Sequence, residues 1–178
     1  MKGIVFTELL EMAETAVGEE AVDAILDRLD LGSGGVYTAV GHYPCSELLQ
    51  IVSALGEATG VPDADLQRRF GVWMHRRFVD SYPEFFRDKA TALDMLDAIE
   101  TEVHVEVRKL YPDAELPVFR TRRHGADRLE MIYRSERPLA AFCHGMVEAC
   151  VGHFGQPARI TVEQASDREA VFDVRLER

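Results

Sequence analysis

The chain has 178 residues, and its 31 acidic against 20 basic side chains give a formal charge of −11. That balance argues against a nucleic-acid surface, because phosphate contacts need clustered cations; 47% hydrophobic and 29% charged residues is a globular mixture with enough apolar material for the core of one domain. No run approaches the ~18 apolar residues of a membrane span, the N-terminus lacks the apolar stretch of a signal peptide, and three cysteines, Cys45, Cys143 and Cys150, suggest no disulfide framework, so a reducing, cytoplasmic setting is expected.

The first two-thirds reads as helix. Val5, Phe6, Leu9, Leu10, Met12 and Ala13 form a helical stripe near the N-terminus. A second helix is predicted over about Glu19 to Asp30, with Val22, Ile25, Leu26 and Leu29 inward, and Gly32-Ser33-Gly34-Gly35 breaks the chain after it. That glycine run is too short for a phosphate loop and lacks the Gly-Lys-Ser/Thr that would follow, so it reads as a turn. A third helix follows Pro44 with Leu48, Leu49, Val52 and Leu55. A fourth opens at Pro62-Asp63, turns Leu66, Phe70, Trp73 and Met74 inward, and closes at Tyr82-Pro83. The longest pattern, about Thr91 to Leu110, carries Leu93, Leu96, Ile99, Val103, Val107 and Leu110 as one continuous buried stripe. The short basic runs Arg68-Arg69, His75-Arg76-Arg77 and Arg120 to His124 are interleaved with apolar residues and read as solvated faces.

After Pro112 the period changes. Pro117 to Arg122 reads as extended, Gly125-Ala126-Asp127 as a turn and Leu129 to Arg134 as a strand. A helix from about Pro138 to Phe154 follows, stopped by Gly155 and Pro157. Two more alternating runs, Ile160 and Val162 and then Phe172, Val174 and Leu176, flank a turn at Ser166-Asp167-Arg168. The class is α+β: helices first, then a small antiparallel sheet with one helix inserted.

Two constellations can carry chemistry. His104 interrupts the long helix and lies, at ~100° per residue, close in direction to Leu93, Val107 and Tyr111. It is either a core histidine with one hydrogen bond or a metal ligand, since a neutral imidazole on a rigid helix suits an iron or other metal. No second histidine lies four residues away, so a zinc pair on this helix is not on offer. The second constellation is Tyr133-Arg134-Ser135-Glu136-Arg137. In an extended chain Tyr133, Ser135 and Arg137 share a face, and two hydroxyls beside a guanidinium suit paired carboxylates; an exposed strand is the plainer alternative.

Taken together, these features resemble the haem nitric oxide/oxygen binding (H-NOX) domain family, related to the sensor region of soluble guanylate cyclase. The resemblance runs from Met1-Lys2-Gly3-Ile4-Val5-Phe6 through Glu102-Val103-His104 to Tyr133-x-Ser135-x-Arg137. It implies a single domain over 1–178, with a helical N-terminal lobe of about 1–60, a C-terminal lobe of about 61–178, and haem b between them. It implies His104 as the iron ligand and Tyr133, Ser135 and Arg137 on the haem propionates. Pro117 aligns with a proline that presses on the porphyrin, and Val5 with an aliphatic side chain crowding the opposite side.

On the distal side, oxygen-binding members of that family carry a tyrosine where this chain has Phe142, with polar partners near its Leu9 and Met74. All three are apolar here, which implies a sensor of nitric oxide and carbon monoxide. Some relatives carry a cysteine-rich zinc site near the C-terminus. Here Cys143, Cys150 and His153 share one helix and the sheet beyond Gly155 adds no cysteine or histidine, so helix packing is expected instead. The expected output is a lobe movement read by a separate histidine kinase or cyclic-di-nucleotide signalling enzyme, without catalysis by the chain itself. A peroxidase-type haem enzyme is the alternative, with His75 as its one nearby proton carrier.

Overall fold

The computed structural model describes residues 1–177. Helix α1 (Gly3–Val17) buries Phe6, Leu9 and Ala13 and ends at Gly18, whose φ of 89° suits glycine. Helix α2 (Glu19–Leu26) buries Val22 and Ile25. It stops at Leu26 rather than near Asp30, because Arg28 and Leu29 donate to the carbonyls of Ile25 and Leu26 in tighter three-residue turns. The loop that follows is pinned by buried Glu47 of α3 (Cys45–Thr59), which accepts from the Ser33 hydroxyl at 2.6 Å and the Tyr37 hydroxyl at 2.8 Å. Helix α4 (Asp63–Ser81) follows Pro62 as expected. The single turn α5 (Glu84–Arg87) was not expected; four residues are too few to show a hydrophobic period.

The long helix predicted over about 91–110 is not continuous. It consists of α6 (Ala92–Ala98), a π-helical turn (Ile99–Val103) and α7 (His104–Leu110). The His104 amide donates to the carbonyl of Ile99, five residues back. The wider turn shifts the phase of everything after it: Leu110, predicted to face inward, is 66% exposed, whereas His104 is 8% exposed. Single π turns inside α-helices are frequent at functional positions.

Strands β1 (Val118–Arg123), β2 (Arg128–Arg134), β3 (Ala158–Ser166) and β4 (Glu169–Leu176) form one antiparallel sheet in the order β1-β2-β4-β3. Leu129, Met131 and Tyr133 of β2 and Ala170, Phe172 and Val174 of β4 are buried together, as the two-residue period of a half-buried sheet requires. Helix α8 (Ala140–His153) packs between this sheet and α4. At the α4–α8 crossing, Gly71 lies against the Phe142 carbonyl and Gly145 against that of Arg68; a Cβ at either glycine would collide with backbone.

The apolar interior forms two clusters. One gathers Phe6, Leu9, Leu48, Phe70, Met74 and Leu139. The other gathers Leu93, Leu96, Phe119, Met131, Tyr133 and Phe172. Phe142 and Val5 are half-buried against the first, Ile99 and Val103 against the second.

Candidate functional site

The π turn presents His104 to the second cluster, where its ring lies 5.6 Å from that of Phe119. His104 Nδ1 is 3.0 Å from Glu100 Oε2. The same carboxylate oxygen accepts the Phe119 backbone N–H at 3.1 Å, and Oε1 accepts from Arg108 at 2.8 Å. Burial opposes the charge on Glu100, yet Arg108, the Phe119 amide and His104 outweigh it and hold the carboxyl below its ordinary range. Burial likewise lowers the His104 pKa, against the pull of Glu100. The favoured form at neutral pH is therefore a neutral imidazole whose Nδ1–H donates to Glu100, which leaves the Nε2 lone pair free. No hydrogen bond occupies Nε2 among the described residues, so His104 has the protonation and orientation a metal ligand needs. Glu100 was missed in the sequence: an acid four residues before a helical histidine looks like an ordinary surface pair.

Tyr133 is 3% exposed on β2 and paired in register with Phe119 of β1. Burial pushes its hydroxyl up to about 12, while a hydrogen bond with Ser135 opposes that rise. The strand ends at Arg134, so Ser135 and Arg137 are not on an extended chain as the sequence suggested. They form a turn in which the Arg137 amide donates to the Ser135 hydroxyl at 3.0 Å. The Tyr133–Ser135 bond and this turn keep the three residues together. The Arg137 guanidinium donates to the Glu115 carbonyl at 3.0 Å and to its carboxylate at 2.5 Å. Cys45 at the start of α3 and the Met1 ammonium lie within electrostatic range of Arg137, so the N-terminal helices reach this cation. Nothing in the sequence joined Glu115, Cys45 or Met1 to this site.

The residues expected on the distal side sit with the first cluster. Leu9 and Met74 are fully buried there, and the half-buried Phe142 ring lies 5.2 Å from that of Phe70. Val5 is half-buried on α1, and Pro117 half-buried just before β1. His75 follows Met74 in sequence but packs elsewhere: its ring lies 5.4 Å from Phe86 and 5.9 Å from His153. Burial and the nearby His153 lower its pKa to about 4, and its buried Nε2 has no hydrogen-bond partner among the described residues.

Cys143 and Cys150 are buried free thiols on α8, their pKa values raised by burial. Among the described residues no group of three or more His, Cys, Asp and Glu side chains could hold a metal ion, and no helix is long and apolar enough to cross a membrane. What remains is a neutral imidazole with a free nitrogen on the second cluster, a cation at one edge, and an apolar wall on the first cluster. A flat, mostly apolar macrocycle with one axial metal position and anionic substituents fits that donor set.

Comparison with known proteins finds one family and several solved structures that this chain resembles. A family described as haem-NO-binding matches residues 2–162. The Fe(II) unliganded H-NOX protein from K. algicida is 38% identical, with a TM-score of 0.94, covering 100% of this chain and 97% of its own. The IWP-051-bound H-NOX from Shewanella woodyi, in its Fe(II)CO state, is 37% identical, with a TM-score of 0.83 and coverage of 98% and 94%. An H-NOX protein from S. oneidensis in the Fe(II)NO state shares the fold at 23% identity and a TM-score of 0.88, with both chains covered completely. A comparison with curated proteins finds no match.

Proposed function

The chain belongs to the haem-NO-binding (H-NOX) family of haem-based gas sensors, and from that premise we propose that it senses nitric oxide and carbon monoxide through a haem b whose iron is held by His104. The observation that carries this reading is the His104 imidazole: buried, neutral, fixed at Nδ1 by Glu100 and free at Nε2. Bound haem would supply a ferrous iron able to take up a diatomic gas.

The remaining work falls to the chain's own residues. Tyr133, Ser135 and Arg137 would hold the propionates through two hydroxyls and one guanidinium. Pro117, ahead of β1, would press on the porphyrin, and Val5 on α1 would crowd it. Leu9, Met74 and Phe142 offer no hydrogen-bond donor to a bound gas, which disfavours oxygen relative to nitric oxide and carbon monoxide. Structures of relatives in Fe(II)NO and Fe(II)CO states support the same pair of ligands here.

The signal is a shift of residues 1–60 against residues 61–178, and it passes to a separate histidine kinase or cyclic-di-nucleotide enzyme. Such a signal needs two arrangements that the gas stabilises differently. We place the protein in the cytoplasm, where its free thiols stay reduced, and assign it no catalytic activity of its own. His75 packs on Phe86 and His153 rather than beside Phe142, which disfavours peroxidase chemistry: that reaction needs a proton carrier over the iron. Absorption spectra of the reduced protein in air and then under nitric oxide test the proposal. It expects an unliganded ferrous spectrum in air and a nitrosyl spectrum after nitric oxide; no change with nitric oxide would defeat it.

A further inference from the structure

We propose that Glu100 sets the strength of the bond between His104 and the iron, and that Arg108 restrains Glu100 in doing so. The inference rests on the reading of His104 as the iron ligand. Three donors converge on one carboxylate: His104 Nδ1 at 3.0 Å, the Phe119 amide at 3.1 Å and Arg108 at 2.8 Å. A carboxylate accepting from the outer nitrogen of a ligating histidine fixes the ring and makes the inner nitrogen a stronger donor. Glu100 does this from the π turn, held from outside its own helix by the Phe119 amide of β1. Arg108 draws on the other oxygen, and its cation reduces the negative charge that His104 feels.

Each neighbour therefore has a sign. Glu100 raises the basicity of His104 and Arg108 lowers it. A gas that weakens the His104–iron bond works against a bond already adjusted by this pair. The Phe119 amide ties this carboxylate to β1, two residues beyond Pro117.

The test uses the full-length ferrous haem protein and its iron–histidine stretching band in resonance Raman spectra. Glu100→Gln keeps the shape and the acceptor for Phe119 but removes the charge. It is expected to lower the band frequency, to raise the share of the nitric-oxide complex that has lost the His104 bond, and to weaken haem retention by about 10-fold. Arg108→Gln, a change at a half-exposed side chain, is expected to raise the frequency. A carboxylate serving only to cap the Phe119 amide would leave the band unmoved in both variants, and that result, or shifts of the same sign, would overturn the proposal. If Glu100→Gln does not load haem, an unmoved band in Arg108→Gln alone overturns it. His104→Gly with imidazole rescue is the separate control: a haem spectrum indifferent to His104 removes the ligand assignment itself.

Discussion

The Glu115 carboxylate lies 2.5 Å from the Arg137 guanidinium, and the Glu115 carbonyl accepts from the same side chain at 3.0 Å. Arg137 is 18% exposed and Glu115 79%, so the cation sits at the protein surface boundary with one partner already in place. A haem propionate held by Arg137, as proposed, would share that guanidinium with Glu115. Arg137→Ala removes charge-assisted hydrogen bonds worth about 1.5–3 kcal/mol each and should speed haem transfer to apo-myoglobin by roughly 10- to 100-fold. Glu115→Gln relieves the repulsion between two carboxylates and should slow the same transfer. An Arg137→Ala protein that loses haem no faster than the parent would remove Arg137 as an anchor.

Pro117 stands two residues before Phe119, whose amide fixes Glu100. Pro117→Ala should flatten the porphyrin and alter the relation between residues 1–60 and 61–178. Crystal structures of parent and variant loaded with haem read this directly. Equal porphyrin distortion in both would take Pro117 out of the mechanism.

His75 carries a pH dependence whose sign is fixed by its environment. Burial and His153 lower its pKa in the folded chain to about 4, from an ordinary 6.5. The unfolded chain therefore binds the extra proton first. Stability is present above pH ~6.5 and declines as the pH falls from there towards 4. His75→Phe replaces the ring without a titrating nitrogen and should flatten the decline, read as the difference in thermal midpoint between parent and variant at pH 7 and at pH 5. Parallel profiles would show that His75 does not titrate in this range.

Phe142 offers no donor to a bound gas, and neither Leu9 nor Met74, both buried in the same cluster, replaces it. Bound oxygen is strongly polar and gains about 1.5–3 kcal/mol from a hydrogen bond to a charge-bearing group, on the order of 10- to 100-fold in affinity. Phe142→Tyr should therefore gain part of that factor for oxygen, with little change for carbon monoxide, as measured by equilibrium titration of the reduced protein. An unchanged oxygen affinity would place Phe142 away from the ligand.

The order of helices and strands was legible because their stripes are long: Phe6, Leu9 and Ala13 on α1, and Leu129, Met131 and Tyr133 on β2, repeat at the period of the element they form. The π turn was not legible. One extra residue in a turn leaves no mark on composition, and Leu110 kept its place in the sequence stripe while the backbone rotated it outward. His104 stood out because it broke an apolar run. Glu100, its nearest polar partner, did not, because a glutamate on a helix is ordinary. Tyr133, Ser135 and Arg137 were recognised as a pattern, but the reason offered from spacing holds only to Arg134, where the strand ends. Their proximity comes instead from a turn closed on the Ser135 hydroxyl, and Glu115, far off in sequence, joins them only through the fold.

The most direct test of the account is the ferrous absorption spectrum of His104→Gly, with and without imidazole. A glycine leaves room for free imidazole where the side chain stood. The expected result is a largely haem-free protein without imidazole and recovery of haem with a parent-like ferrous spectrum when imidazole is added. A His104→Gly protein that keeps its full complement of haem and an unaltered ferrous spectrum without imidazole would contradict it.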